Sequence, residues 1–137
     1  MNLKEYIRSI PDYPKKGILF RDITTLIKNE KAFEETVNQI IERSKKYKVD
    51  KIAAIESRGF VFASAVSYIL KKPFIMLRKK NKLPADVHSI DFELEYGTAT
   101  IEVHKDSINE NDTVLIIDDL IATGGTAEAA AKLVEIS

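Results

Sequence analysis

The sequence predicts an α/β domain with a parallel core sheet flanked by helices and an antiparallel flap. Three observations carry this expectation. Val114-Leu115-Ile116-Ile117 is an uninterrupted apolar run that leads through two aspartates and a Gly-Gly turn into the alanine-rich stretch Ala127 to Val134. That is how a strand covered on both faces, followed by a helix, reads. Lys51 to Ile55 repeats the arrangement, passing through Glu56-Ser57-Arg58-Gly59 into an apolar helix from Phe60 to Leu70. Residues 84–104 alternate apolar and polar residues on either side of Gly97, as a hairpin of half-buried strands does.

Composition narrows the class. At 137 residues the chain fits one domain, 1–137, with enough length for a core. Apolar content of 45% and charged content of 31% are ordinary for a soluble globular protein. There is no apolar stretch of membrane-spanning length and no signal-peptide core at Met-Asn-Leu-Lys-Glu-Tyr-Ile-Arg, so no membrane partner is expected. With no cysteine there is no disulfide scaffold and no thiolate metal site, which fits a cytoplasmic protein. A formal net charge of zero gives no global basic footprint for nucleic acid.

Taken in order, Leu3, Tyr6, Ile7 and Ile10 fall at helical spacing behind Asn2, a candidate N-cap, and Pro11 closes that first helix. Residues 11–25 contain two prolines and a glycine and read as irregular, yet Ile18, Leu19 and Phe20 are too apolar for an idle loop. Phe33, Val37, Ile40 and Ile41 mark the buried stripe of a helix across 31–47. Pro73 to Leu77 is a third buried strand, followed by Arg78-Lys79-Lys80-Asn81-Lys82-Leu83-Pro84. In the hairpin, Phe92, Leu94 and Tyr96 alternate before Gly97, and Ala99, Ile101 and Val103 after it. His88 and His104 belong to no motif and read as surface residues without a metal role.

The polar strand ends state a ligand requirement. Ligands of open α/β sheets bind outside the carboxyl ends of the strands. Backbone amides across Ala122-Thr123-Gly124-Gly125-Thr126, at the positive end of a helix dipole, suit a phosphate. Asp118 and Asp119 cannot share that phosphate because like charges repel. Their oxygens suit hydroxyl groups such as those of a ribose, or a cation. Two further stretches stay open on residue chemistry alone. Glu56-Ser57-Arg58 is either a capped turn with an internal ion pair or a site for an anion, and the cationic run 78–82 is either a solvated face or a phosphate-facing loop.

Val114–Thr126 resembles, position for position, the phosphoribosyl-pyrophosphate (PRPP) motif of the type I phosphoribosyltransferases. No Gly-Lys-Ser/Thr of the nucleotide triphosphatases occurs. Glu56-Ser57-Arg58-Gly59-Phe60 resembles the same family's pyrophosphate loop, and Arg78-Lys79-x-x-Lys82-Leu83-Pro84 its cationic stretch, which approaches pyrophosphate partly across a dimer interface. Gly17-Ile18-Leu19-Phe20-Arg21-Asp22-Ile23 resembles the base-binding segment of the adenine phosphoribosyltransferases, and Leu94-Glu95-Tyr96-Gly97 their catalytic flexible loop.

The resemblance implies the type I phosphoribosyltransferase fold, with a base-binding segment at about 1–27 and a core at about 31–137. It implies transfer of 5-phosphoribosyl from PRPP to adenine, giving AMP and pyrophosphate. Asp118 and Asp119 would hold ribose hydroxyls, and Ala122, Thr123, Gly124, Gly125 and Thr126 the 5-phosphate. Glu56, Ser57, Arg58, Arg78, Lys79 and Lys82 would hold pyrophosphate. The backbones of Leu19 and Arg21 would read the adenine edge, with Phe20 against the ring. Arg58, Glu95 and Tyr96 would be catalytic, Glu95 at adenine N7 and Tyr96 near the reacting ribose. Mg²⁺ would arrive with PRPP rather than sit in a dedicated protein site, with Asp118 and Asp119 within its reach, and a homodimer is expected.

Such proteins continue past the helix that here reaches Ser137, so the family pattern implies that the last strand or strands are missing, and Leu133, Val134 and Ile136 form an apolar face without a following strand. Two alternatives remain: a phosphoribosyltransferase for another base, and a PRPP-binding regulatory domain without turnover.

Overall fold

The computed structural model describes residues 2–13, 15–17, 19–94, 97–118 and 125–137, with the side chains of Phe20, Leu94 and residues 125–127 outside the description. It forms two compact units, Met1–Arg43 and Ser44–Ser137.

In the first unit Asn2 caps a 3₁₀ turn, Leu3–Tyr6, its side chain accepting the Lys4 N–H at 3.2 Å. The helix expected to run on to Ile10 ends at that turn. Arg8–Pro11 is instead a strand, β1, paired antiparallel with β2, Leu19–Asp22, with Ile10 opposite Phe20 and Pro11 opposite Leu19. A non-local ladder satisfies backbone groups that a short, isolated helix would hold only marginally. The proline sits at the end of an outer strand, where a missing N–H is tolerated. The stretch expected to be irregular thus carries a strand and a one-turn helix, α1, Thr24–Ile27. Asn29 accepts the Ala32 N–H at 2.9 Å in the first turn of α2, Glu30–Ser44. Ala32 and Val37 are buried, and Phe33, Ile40 and Ile41 half-buried, along the expected stripe.

The second unit is built on a five-stranded mixed sheet in the order β5-β6-β4-β3-β7. Its centre is the expected parallel core. β3, Lys51–Ile55, pairs in parallel with β4, Phe74–Lys79, on one side and with β7, Val114–Ile117, on the other. α3, Arg58–Leu70, makes the crossover from β3 to β4 and buries Phe62, Ala63 and Val66, while Phe60 meets Phe74 edge to face with ring centroids 5.4 Å apart. The expected hairpin is present as β5, Val87–Leu94, and β6, Gly97–His104, in register from Val87↔His104 to Leu94↔Gly97. It does not merely project from the sheet: β6 joins β4 through Arg78↔Glu102 and Lys79↔Ile101.

The core on one face of the sheet contains Ala53, Ile55, Ile75, Leu77, Ile101 and Val103, and α4, Gly125–Ile136, contributes Ala129, Ala130 and Leu133 to it. Two expectations change here. Leu133 is fully buried against this core and Val134 half-buried, so of the apolar trio expected to lack cover only Ile136 stands exposed. His88 and His104 are half-buried strand residues rather than surface ones, and the His104 Nε2 is buried without a hydrogen-bond partner among the described residues. No described helix is long and apolar enough to cross a membrane.

Because Leu133 fastens α4 to the hairpin side of the sheet, Leu133→Ala should cost about 2–5 kcal/mol, as truncation of a buried leucine does. Urea unfolding of the two proteins measures it, and a loss within ordinary surface-mutation scatter would refute the assignment.

Candidate ligand site at the strand ends

Parallel pairing sets the carboxyl ends of β4, β3 and β7 side by side, with Ile55 opposite Leu77 and Ala54 opposite Ile117. The next residues along each strand are the predicted ones. Glu56 and Ser57 form the turn after β3, joined by a cis peptide bond, and Arg58 opens α3. Arg78 and Lys79 are the last two residues of β4, so the cationic stretch begins inside the strand rather than after it. Lys82 is exposed just beyond, and Asp118 follows β7 half-buried. Ser57 and Arg58 are exposed along this edge.

Glu56 joins two of these segments. Its N–H donates to the Leu77 carbonyl at 3.1 Å, and its Oε1 accepts the Lys79 N–H at 2.6 Å. The same oxygen lies 3.4 Å from Arg78 Nε, an ion-pair distance without hydrogen-bond geometry. The Glu56 carboxylate therefore reaches across to β4. A carboxylate so engaged neutralises part of the cationic stretch and fixes its backbone.

Gly59 sets the distance between the second and third segments. A Cβ placed there would lie 3.0 Å from the Ile117 carbonyl oxygen and 3.5 Å from both the Ala54 Cβ and the Asp118 Cα. A side chain here would press on the Ile117 carbonyl, so glycine lets the first turn of α3 lie this close to the end of β7 without a shift. Arg58 and Asp118, one residue away on each side of that contact, are thereby brought to one corner.

In the first unit, Leu19, Phe20 and Arg21 lie on β2, with Leu19 and Arg21 exposed. The Arg21 guanidinium donates to the Ser9 hydroxyl on the paired strand. Asp22, at the end of β2, is buried and heavily bonded. Its Oδ1 accepts the Thr24 hydroxyl at 2.7 Å and the Thr24 N–H at 2.9 Å, and its Oδ2 accepts Arg8 Nε at 2.8 Å. These bonds, Thr24's first and then Arg8's, outweigh burial and hold the carboxyl at about 2, well below its ordinary 3.8.

Glu95, Tyr96, Asp119, Ala122, Thr123 and Gly124 lie outside the described residues, and Gly125 and Thr126 are described only as the start of α4. Two site-shaping residues escaped the sequence reading. Gly59 stood in a quoted motif, but its close approach becomes visible only once β7 is placed beside β3. Glu102 falls on the face of β6 that alternation assigns to solvent, yet it is buried and accepts the Asn81 N–H at 2.9 Å.

With this geometry in place, the comparisons define the class. The family model described as the phosphoribosyl transferase domain matches residues 22–136, and the chain belongs to that family. Within it, the chain is 87% identical over 137 residues to the adenine phosphoribosyltransferase of Pelagibacter ubique, covering all of this chain and 78% of that protein. It is 56% identical to the adenine phosphoribosyltransferase of Methylobacillus flagellatus, over 98% of this chain and 77% of that one. Among solved structures, the adenine phosphoribosyltransferase from Thermoanaerobacter pseudethanolicus superposes with a TM-score of 0.94 at 49% identity, covering 98% of this chain and 78% of that chain. The Giardia lamblia enzyme complexed with 9-deazaadenine superposes with a TM-score of 0.93 at 38% identity, over 98% of this chain and 75% of that one.

Two outcomes follow from these contacts. Gly59→Ala should destabilise the fold by about 1–3 kcal/mol, the usual cost of overpacking, because the tightest neighbour, the Ile117 carbonyl oxygen at 3.0 Å, is backbone and cannot rotate away. Urea unfolding tests this, and unchanged stability would show that the two segments are not held together. For Asp22 the sign follows from its depressed folded value. The stabilisation is present above 3.8 and is lost as pH falls through about 2. The melting-temperature gap between the wild type and Asp22→Asn should therefore shrink across that window, and a constant gap would contradict the bonding described.

Proposed function

We infer that this chain catalyses transfer of the 5-phosphoribosyl group from PRPP to adenine, yielding AMP and pyrophosphate. The observation that carries the reading is the segregation of charge along one sheet edge: a cationic segment at the end of β4, an arginine at the start of α3 and an aspartate at the end of β7. That order suits a substrate with an anionic leaving group at one end and a hydroxyl-bearing sugar at the other. The relatives named adenine phosphoribosyltransferase support adenine as the base.

Arg58, Arg78, Lys79 and Lys82 would hold the pyrophosphate and gain strength as charge collects on it. Asp118 and Asp119 would accept hydrogen bonds from the ribose hydroxyls, and residues 122–126 would surround the 5-phosphate. As the bond from the anomeric carbon to pyrophosphate breaks, the sugar acquires oxocarbenium character, so positioning and electrostatics do most of the work and no covalent nucleophile is required. Leu19, Phe20 and Arg21 would recognise the base, Glu95 would meet N7, and Tyr96 would sit near the ribose. Closure of the hairpin tip would keep water from PRPP.

Mg²⁺ belongs to this reading. The donor chemistry fits, since Asp118 offers a hard carboxylate oxygen where ribose and pyrophosphate would lie, and Mg²⁺ is commonly held by one or two carboxylates plus substrate phosphates. When bound it would neutralise charge on the leaving group. We further propose that both compact units act as one phosphoribosyltransferase domain, as a homodimer, in the cytoplasm.

The test is direct incubation with PRPP, Mg²⁺ and adenine, with hypoxanthine and orotate in parallel. AMP and pyrophosphate are expected from adenine alone. A nucleotide from another base would reassign the substrate, and tight PRPP binding without any nucleotide would make this a binding domain.

A further inference from the structure

We propose that Glu102 is a positioning residue for the pyrophosphate end of the site, acting with Glu56 to hold the backbone of residues 79–81 before any anion arrives. The inference rests on the phosphoribosyl-transfer reading above. Glu102 lies on β6 directly opposite Arg78 of β4, and it is only 8% exposed. Its Oε1 accepts the Asn81 N–H at 2.9 Å. Asn81 has φ +68°, in the left-handed region that asparagine enters more readily than most residues other than glycine, so the segment turns sharply at the amide that Glu102 holds. Two residues earlier, Glu56 Oε1 accepts the Lys79 N–H at 2.6 Å. The amides of Lys79 and Asn81 are thus each tied to a carboxylate from a different neighbour of β4, Glu56 just after β3 and Glu102 within β6.

Carboxylates suit this task for two reasons. A charged acceptor makes a shorter and stronger bond to a backbone amide than a neutral one. A buried acid also needs compensating charge. Arg78, 3.4 Å from the Glu56 carboxylate and opposite Glu102 in the ladder, supplies part of that charge, while the acids relieve the mutual repulsion of four cations within five residues. Neither glutamate is suited to touch pyrophosphate itself, since anions repel. Their contribution is to fix the amides and stems that carry Arg78, Lys79 and Lys82, so that binding an anion does not first require ordering the turn. Glu56, placed with the pyrophosphate ligands by resemblance to the family, becomes on this view their support.

The test compares Glu102→Gln, which keeps an acceptor for the Asn81 N–H, with Glu102→Met, which keeps the shape and removes the acceptor. AMP formation is measured with PRPP and adenine varied separately. Glu102→Met should raise the KM for PRPP about tenfold, the scale of one lost hydrogen bond to a charged group, and leave the KM for adenine within about twofold. Glu102→Gln should recover most of the loss. A PRPP KM unchanged in Glu102→Met, or equal rises for both substrates, would overturn the proposal while leaving the activity intact. Absence of AMP from the wild type would overturn the activity reading and this inference with it. Amide exchange in the unsubstituted protein checks the same bond without relying on a variant's folding. The Asn81 N–H should exchange about tenfold or more slowly than an unstructured loop amide, and exchange at the loop rate would refute the anchoring.

Discussion

The candidate site depends first on the parallel ladder in which β3 is gripped by β4 on one side and β7 on the other. Parallel strands in register end at the same edge, so whatever residues follow them become neighbours however far apart they lie in the chain. Glu56, Arg78 and Asp118 are brought together in this way. The ladder is centred on β3, an apolar run covered on both faces: Ile52, Ala53, Ala54 and Ile55 are all buried, whereas β4 leaves Met76 exposed. A polar residue in the middle of such a run would face protein rather than water. Polarity therefore begins where the strands end, and the same constraint that makes the core makes the edge chemically rich.

Charge at that edge is arranged rather than accumulated. The cationic segment would repel itself if it stood alone, and the acids beside it would repel an incoming phosphate if they faced it. Glu56 resolves this by turning its carboxylate onto the Lys79 amide and toward Arg78, leaving the outer side of the segment positive. Asp118 stands one strand further away, beyond the Glu56–Arg58 turn, where an acid suits hydroxyl groups. Gly59 keeps the intervening turn thin enough for these opposite chemistries to serve a single small molecule.

Much of this was legible in the sequence, for identifiable reasons. Uninterrupted apolar runs marked β3, β4 and β7 within a residue or two, although only β3 is buried on both faces: the expected buried strand at 73–77 exposes Met76. The hairpin showed itself through strict alternation about Gly97. The first strand was not legible, because Ile7 and Ile10 fit a helix as well as a strand and only pairing with β2, across a proline-containing turn, decides between them. Glu102 was missed for a different reason: alternation reports which face a side chain occupies, not whether another segment covers that face. Gly59 was visible as a letter, but its role depends on β7, contributed by a segment far along the chain.

The hairpin is held to the sheet at its base. β6 is fixed to β4 by only two register pairs, Arg78↔Glu102 and Lys79↔Ile101, but these occupy the end of β4 where the cationic segment begins. On the other face, α4 packs against β5 and the hairpin base, with Ala129, Ala130 and Leu133 in the core shared with Ile101 and Val103. α4 therefore also braces the hairpin. A displacement of α4 would be felt at the base of the hairpin as well as at its own first turn. Conversely, β6, the strand that carries Glu102, supports the cationic segment through Asn81 and runs from Gly97, so under the proposed function one element would link the leaving-group end of the site to the hairpin.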